Sequence, residues 1–408
     1  MKAISTILCL LLGAFAPLVQ AAEDTFLTAD APLLADDGVR FVFPQTSRTI
    51  VVGDVHADPS AVFEIARKTG LINPQIDWTG GDTRWILLGD LTSRGENSRL
   101  IFDLVRYLRP RAQSHGGDIH VVQSNHEAQK VEGFYLSKYA EKERLQYADF
   151  APGFTAEDVQ ARIRELLEGG EVTSFTLNLL RMTMIDEYAK RSYIEAFRHP
   201  DSPYLQDVLA RNTFLILEPA PGTRGDSYGF SHAGFDSWLF SNANRGYLAQ
   251  INATVRGFLS EANLVRTGRR EAPIEYHWTV NDEGPLFTRA LAREELPASL
   301  VHRALDGIGV KTFFIGHHLN ESARIEQFYN GRVWDLDTGI SSAYRGSLSA
   351  VEILRGKPPQ ELYFQRPLGT QHPFRKTFEG ILNRRIDIPA VKIDFEEAAR
   401  SCRELITE

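Results

Sequence analysis

The sequence predicts a layered α/β fold with parallel strand pairs, on three observations. Strand-like and helix-like segments alternate from about residue 48 onward, the signature of strands joined by crossover helices. The strand-like segments are short runs rich in β-branched and other apolar residues, as buried strands are. Several of these runs stop abruptly at Gly-Asp or another polar pair, which collects polar groups at the carboxyl ends of strands, where such sheets gather their ligands.

Residues 22–49, "AEDTFLTADAPLLADDGVRFVFPQTSRT", form a polar lead expected to contain loops and an edge hairpin. "TIVVGD" follows as a buried strand, and "PSAVFEIARKTGLI" as a helix with Val62, Ile65 and Ala66 at helical spacing. "RWILLGD" is the second strand. "SRLIFDLVRYLRPRAQ" is an amphipathic helix whose stripe is Leu100, Ile101, Leu104, Val105 and Leu108, with Pro110 near its end. "DIHVVQSNHE" is the third strand. Residues 128–210 turn helical and charged, with a boundary at Gly169-Gly170, and read as a helical insertion or cap on the sheet. Strands resume at "TFLILEPA", "SYGFSHAGF", "KTFFIGHHL" and "RVWDLDTGI", and the tail at 371–408 carries a basic cluster and a terminal helical pattern. No internal repeat or low-complexity tract is evident.

The first 21 residues pair Lys2 with an apolar stretch from Ile4 to about Leu18 and small or apolar residues at Val19 and Ala21. This is the layout of a secretory signal cleaved after Ala21, and it places the mature protein in the periplasm or outside the cell. No later stretch is long and apolar enough to span a bilayer, so no membrane association is expected once the signal is removed. Of two cysteines, Cys9 lies in the signal and Cys402 remains alone, which excludes an intramolecular disulfide in the mature chain. A formal charge of −8 opposes nonspecific binding to nucleic acid or anionic lipid. An anionic substrate would need local cations to overcome that field.

The chemistry lies at the strand ends. If the first strand continues through them, Asp54 and His56 project to one side and can share a cation. Asp90 ends the second strand, Asn125 and His126 the third, and His232 and His317 follow two later ones. Oxygen and imidazole donors without thiolate suit Mn, Fe or Zn, and two ions could share Asp90 as a bridge. Taken alone, "GDVH" is a turn more often than a metal site, and the His of "SHAG" more often a hydrogen-bonded loop residue. Four such motifs in this order, each ending an apolar strand, make a joint accident rare.

The blocks "GDVHAD", "GDLTSRG", "SNHE", "SHAG" and "GHH" resemble those of the calcineurin-like metallophosphoesterases of the phosphoprotein phosphatase type. Their pattern is GDxHG, GDxxDRG, GNHE, HGG and a later His. The segments "DWTGGDTRWILLGD", "GGDIHVVQSNHEA", "EGPLFTRALA" and "GRVWDLDTGISSAYRGSLSAVEI" are similar to the bacterial, Shewanella-like branch, and the likeness covers about residues 48–355. The resemblance implies a four-layer α/β/β/α sandwich with a helical insertion, its catalytic domain spanning residues 22–370. It implies one metal held by Asp54, His56 and Asp90 and a second by Asp90, Asn125, His232 and His317, with Leu319 in place of a further His and His318 a bystander. Such a metal pair arms a bridging hydroxide against phosphorus. His126 corresponds to the general acid for the leaving oxygen, and Arg94 and Arg289 to the arginines that grip the phosphoryl group.

The chain departs from the pattern at Ser93, where the family has an acid that supports the catalytic His, and at Ala57, Ser124 and Ala233, where it has glycine. Glu127 and Asp236 are the carboxylates that could substitute. The implied function is an exported protein phosphatase preferring phosphotyrosine, since an aryl leaving group needs less acid assistance than an alkyl one. Two alternatives stand beside it: hydrolysis of small phosphate esters or dinucleoside polyphosphates, and a catalytically weakened metal- or phosphate-binding module. Asp335 and Asp337 of "WDLDTG" serve either as supports to ligand histidines or as turn residues. His115, His120, His199, His277, His302 and His372 are assigned to structure or surface, and the oligomeric state stays open.

Overall fold

The computed structural model describes residues 40–366 apart from Glu96, residues 133–192, Glu195 and residues 268–280. The expected signal, the first part of the lead, most of the insertion with Gly169-Gly170, His277, and the tail with His372 and Cys402 lie outside the described residues.

Two sheets stack face to face. The first has the order β11-β10-β2-β3-β4, with β2 (Arg48–Val52), β3 (Arg84–Leu87) and β4 (Asp118–Val121) parallel. β10 (Leu348–Leu354) runs antiparallel to β2, and β11 (Gln360–Phe364) antiparallel to β10. The second sheet has the order β1-β5-β6-β7-β9-β8. In it β6 (Tyr228–Ser231), β7 (Thr312–Ile315) and β9 (Val333–Asp335) are parallel, with β5 (Phe214–Glu218) antiparallel to β6 and β8 (Glu326–Phe328) antiparallel to β9.

The two-residue period of a strand sorts the side chains into layers. Val51, Ile86 and Leu88 join Leu215, Leu217, Phe230 and Phe314 in one buried cluster between the sheets, where Phe230 and Phe314 stack at 5.3 Å. Their sequence neighbours Ile50, Val52, Trp85 and Leu87 face outward and are buried with α1 (Pro59–Lys68) and α2 (Ser98–Ser114). On the other side α5 (Arg245–Arg266) and α6 (Ala298–Gly307) cover the second sheet, and Asn252 of α5 clamps both the N–H and the C=O of Phe214. The result is α/β/β/α. No helix among the described residues is long and apolar enough to cross a membrane.

Local rules place the helices. Asp58 caps α1 by accepting from Ala61 N–H, with Pro59 as the first helical residue. α2 runs through Pro110 to Ser114, one residue past the stretch read from the sequence. The edge hairpin expected in the lead is not found among the described residues: β1 (Val42–Pro44) instead pairs in parallel with β5, which sends Phe43 into the layer between the sheets. The described ends of the insertion are packed rather than independent. Tyr193, Phe197 and Tyr204, the last on α4 (Pro203–Leu209), are buried around Phe102 of α2.

Candidate metal centre

The carboxyl ends of the parallel strands of both sheets meet at one place, and every donor singled out in the sequence lies there. β2 stops at Val52, so the period of a strand is not what unites Asp54 with His56; the chain turns, and His56 sits in the left-handed region at φ 47°. Asp90 (φ 49°) and His317 (φ 69°) share that conformation. A non-glycine residue there costs of order 1–3 kcal/mol, and such strain clusters at functional sites. β4 likewise ends at Val121, and Asn125 opens the helix α3 (Asn125–Glu132). Gly316 must be glycine for a specific reason: a Cβ there would lie 2.1 Å from Asp54 Oδ1.

His56 Nε2 is 3.5 Å from Asp90 Oδ2 and 3.9 Å from Asp54 Oδ2. His232 is 3.5 Å from Asp90 Oδ1 through Nε2 and 3.7 Å from Asp54 Oδ1 through Nδ1. His317 N–H donates to Asp54 Oδ2 at 2.9 Å, and its ring lies 5.0 Å from that of His232. Donor atoms of Asp54, Asp90 and His232 fall within 4.8 Å of one another, as do those of His56, Asp90 and His126, and those of Asp54, His56 and Asp337. Asp90 stands in two of these groups.

The hydrogen bonds of the two later histidines show which of their atoms are free to bind a cation. His232 Nδ1 donates to the Leu88 carbonyl at 2.9 Å, so Nε2 of the neutral ring carries a lone pair. That lone pair points at Asn125 Oδ1, 2.9 Å away and also an acceptor. Two acceptors at this distance repel unless a cation lies beside both. His317 Nε2 donates to the Phe287 carbonyl at 2.9 Å, which leaves Nδ1 as its lone-pair nitrogen. Asp54 Oδ1 is buried without a hydrogen-bond partner. The residues fit a metal centre, and backbone carbonyls fix the tautomer of its histidines as they do in metalloproteins.

Electrostatics agree. Burial, then the Asp337, Asp90 and Asp335 carboxylates, raises the pKa of Asp54, and burial followed by Glu127 raises that of Asp90. Burial first and neighbouring cations second lower His56 to about 3, while burial holds His232 at about 4. The imidazoles are therefore neutral, the form that binds metal, and a cation beside the crowded carboxylates would offset both their burial and their mutual repulsion.

His126 lies beside the cluster with Nε2 3.7 Å from Asp90 Oδ2, and burial, then His56, Lys130 and Arg94, lowers its pKa. Neither candidate carboxylate supports it. Glu127 is fully buried and accepts from Thr92 N–H and Oγ1, both at 2.8 Å, from Ser124 Oγ, and from Arg211 at 3.0 Å. Asp236 caps the 3-10 turn at Ser237–Leu239 and accepts from Thr288 Oγ1 at 3.3 Å. Ser93 itself is buried, at φ 70°.

A cleft of about 530 Å³ opens over the cluster, and Arg94, Lys130, Arg289 and Arg293 line it together with Phe287 and Tyr344. These are the local cations an anionic substrate requires against the bulk charge. Lys130 and Arg293 are not among the residues singled out in the sequence; Lys130 follows His126 by four positions on α3, which sets both on one face. His318 also lines the cleft, half-buried near Arg289 and Arg293. Asp337 is brought into the cluster, whereas Asp335 holds the turn by accepting from Asp337 N–H at 3.0 Å. His120 is buried against Arg84, and His115, His199 and His302 make local contacts away from the cluster.

The calcineurin-like phosphoesterase family model matches residues 47–249. Shewanella-like protein phosphatase 2 of Arabidopsis thaliana is 27% identical over 351 residues, which cover 83% of this chain and 85% of that protein. An uncharacterized protein of Schizosaccharomyces pombe is 21% identical, over 74% of this chain and 76% of its own length. Among solved structures, the cold-active protein-tyrosine phosphatase of a psychrophilic Shewanella species superposes with a TM-score of 0.52 at 16% identity, covering 79% of this chain and 82% of that one. The last is a likeness of fold.

Proposed function

The chain belongs to the calcineurin-like phosphoesterase family, and from that premise we propose that it is an exported phosphomonoesterase that uses two metal ions, Mn, Fe or Zn, and prefers phosphotyrosine in proteins. One ion is assigned to Asp54, His56 and Asp90, the other to Asp90, Asn125, His232 and His317. The observation that carries this reading is the pair of facing acceptors, His232 Nε2 and Asn125 Oδ1 at 2.9 Å, in a buried cluster that also holds Asp54 and Asp90. Export rests on the apolar N-terminal segment and its small-residue end.

When bound, the ions would supply a water deprotonated near neutral pH and offset the charge of the phosphoryl oxygens. The side chains of the cleft do the rest. Arg94 and Arg289 line it with guanidinium groups suited to the equatorial phosphoryl oxygens, and Lys130 and Arg293 add positive charge. His126 protonates the ester oxygen as the P–O bond breaks, the dianionic phosphoryl group beside it favouring the protonated ring that burial disfavours in the free protein, while the attacking oxygen bonds to phosphorus from the opposite side. The products are inorganic phosphate and the free hydroxyl.

The tyrosine preference follows from what surrounds His126. With Ser93 in the acid's position and Glu127 and Asp236 engaged elsewhere, the carboxylate within salt-bridge distance of the ring among the described residues is Asp90, itself assigned to both ions. A weakly supported acid suits a leaving group such as phenolate, whose conjugate acid has a pKa of about 10. Turnover of matched phosphotyrosine and phosphoserine peptides by the Mn-loaded mature chain tests this. The expected result is at least tenfold faster phosphotyrosine hydrolysis, and equal rates would sink the preference.

A further inference from the structure

We propose that Asp337 is a seventh protein donor to the metal pair, contributing a carboxylate oxygen to the ion assigned to Asp54 and His56. The inference rests on the dinuclear reading above and adds to it a residue from the segment after β9, which supplies none of the other donors.

Gly53 sets the placement of Asp337. A Cβ at this position would lie 2.2 Å from the Leu336 carbonyl oxygen and 3.3 Å from Asp337 N. No side chain fits there, so the turn leaving β2 in one sheet lies directly against the backbone leaving β9 in the other. That contact is what carries Asp337 to the two donors that follow Gly53. Donor atoms of Asp54, His56 and Asp337 lie within 4.8 Å of one another, and all three residues are buried.

Two features set Asp337 apart from an ordinary turn residue. Its Oδ1 accepts the Gly339 N–H at 3.1 Å, which orients the carboxylate and leaves a second oxygen for another partner. Its side chain also lines the cleft, whereas Asp335 two residues earlier holds the turn and takes no part in the cluster. Carboxylates brought this close in a buried site repel unless positive charge lies between them. Asp54 Oδ1 has no hydrogen-bond partner to supply it. A cation near His56 Nε2 would answer both carboxylates and Asp90, giving an oxygen-rich site of the kind that suits Mn(II).

The test is a Mn(II) titration of the full-length mature chain, free Mn(II) read by its EPR signal, on wild type, Asp337→Ala and Asp337→Asn, with circular dichroism as the folding control. Diffraction from wild-type crystals grown with Mn(II), with anomalous peaks locating the ions, accompanies it. Wild type should bind two ions and Asp337→Ala should weaken one of them at least tenfold. An Asp337 oxygen should lie within about 2.0–2.6 Å of a Mn peak. Two ions of unchanged affinity in Asp337→Ala, or an Asp337 oxygen farther than about 3.5 Å from either peak, would overturn the assignment while the dinuclear reading stands. Should Asp337→Ala fail to fold, the wild-type map and Asp337→Asn decide. Wild type binding no Mn(II) would remove the dinuclear reading itself.

Discussion

Glu127 offers a sharp test of how the catalytic loop is held. It follows His126 directly, yet it points away from the reaction and into the protein, where its oxygens accept from Thr92 N–H, Thr92 Oγ1, Ser124 Oγ and Arg211. Thr92 immediately precedes Ser93 and Arg94, and Ser124 precedes Asn125, so one carboxylate ties together two of the segments that build the centre. Every partner is buried, Arg211 to 5% exposure. Glu127→Gln keeps the shape and can still accept from Thr92, so the main loss is the pairing of a buried guanidinium. Removing one member of a buried ion pair costs about 3–5 kcal/mol. Arg211→Met should cost a similar amount by stranding the carboxylate. The double variant removes both charges together and should cost clearly less than the sum, by roughly 2–3 kcal/mol of coupling. Urea unfolding in EDTA, followed by tryptophan fluorescence, measures all three without metal linkage. A Glu127→Gln cost below about 1 kcal/mol, or additive single variants, would refute the reasoning.

Other predictions concern acid catalysis, pH and metal access. Ser93→Asp restores a carboxylate at the family's position and should raise phosphoserine turnover more than phosphotyrosine turnover; identical rates for both substrates before and after would mean that another group supports His126. His120 is neutral in the folded protein because burial lowers its pKa to about 3, and it accepts from Arg84 at 2.8 Å. Its contribution to stability is present above pH 6.5 and is lost as pH falls below that value toward 3, at about 1.4 kcal/mol per pH unit. Melting of His120→Gln against wild type between pH 7 and pH 5 should show a shallower slope for the variant, and parallel slopes would contradict this. Gly316→Ala, whose new Cβ meets Asp54 Oδ1, should lower the Mn(II) bound per chain without loss of secondary structure.

The donors were legible because each sits where an apolar run stops, and a buried strand has no other use for a terminal Asp or His. Their geometry was less so. A strand continuing through Asp54 and His56 would align the two by its period, but the chain leaves β2 at Val52 and aligns them by a left-handed turn at His56. That turn is held by hydrogen bonds from His56 N–H to the Asp90 carbonyl and from Ala57 N–H to the Leu91 carbonyl, contacts with the segment leaving β3 that no local pattern encodes. Lys130 could have been read from its spacing to His126 only by seeing that α3 starts inside the "SNHE" block. α5 passed unnoticed although Leu248, Ile251, Val255, Leu259 and Ala262 mark a helical stripe after the cap Asn244. Asn252 interrupts that stripe, a buried polar residue whose reason, the clamp on Phe214, lies 38 residues away in sequence. Asp337 was ambiguous for the same cause. Its neighbours are turn residues in sequence and metal-site residues in space.

Asp90 carries the central claim, since it belongs to two of the three donor groups and is assigned to both ions. The most direct measurement is metal content per chain by elemental analysis of the purified protein, coupled to p-nitrophenyl phosphate hydrolysis, for wild type and Asp90→Asn. Two ions in wild type, with fewer ions and at least a hundredfold less hydrolysis in Asp90→Asn, is the predicted result. Hydrolysis that persists in metal-free protein, or an Asp90→Asn variant with unchanged metal content and rate, would contradict the account.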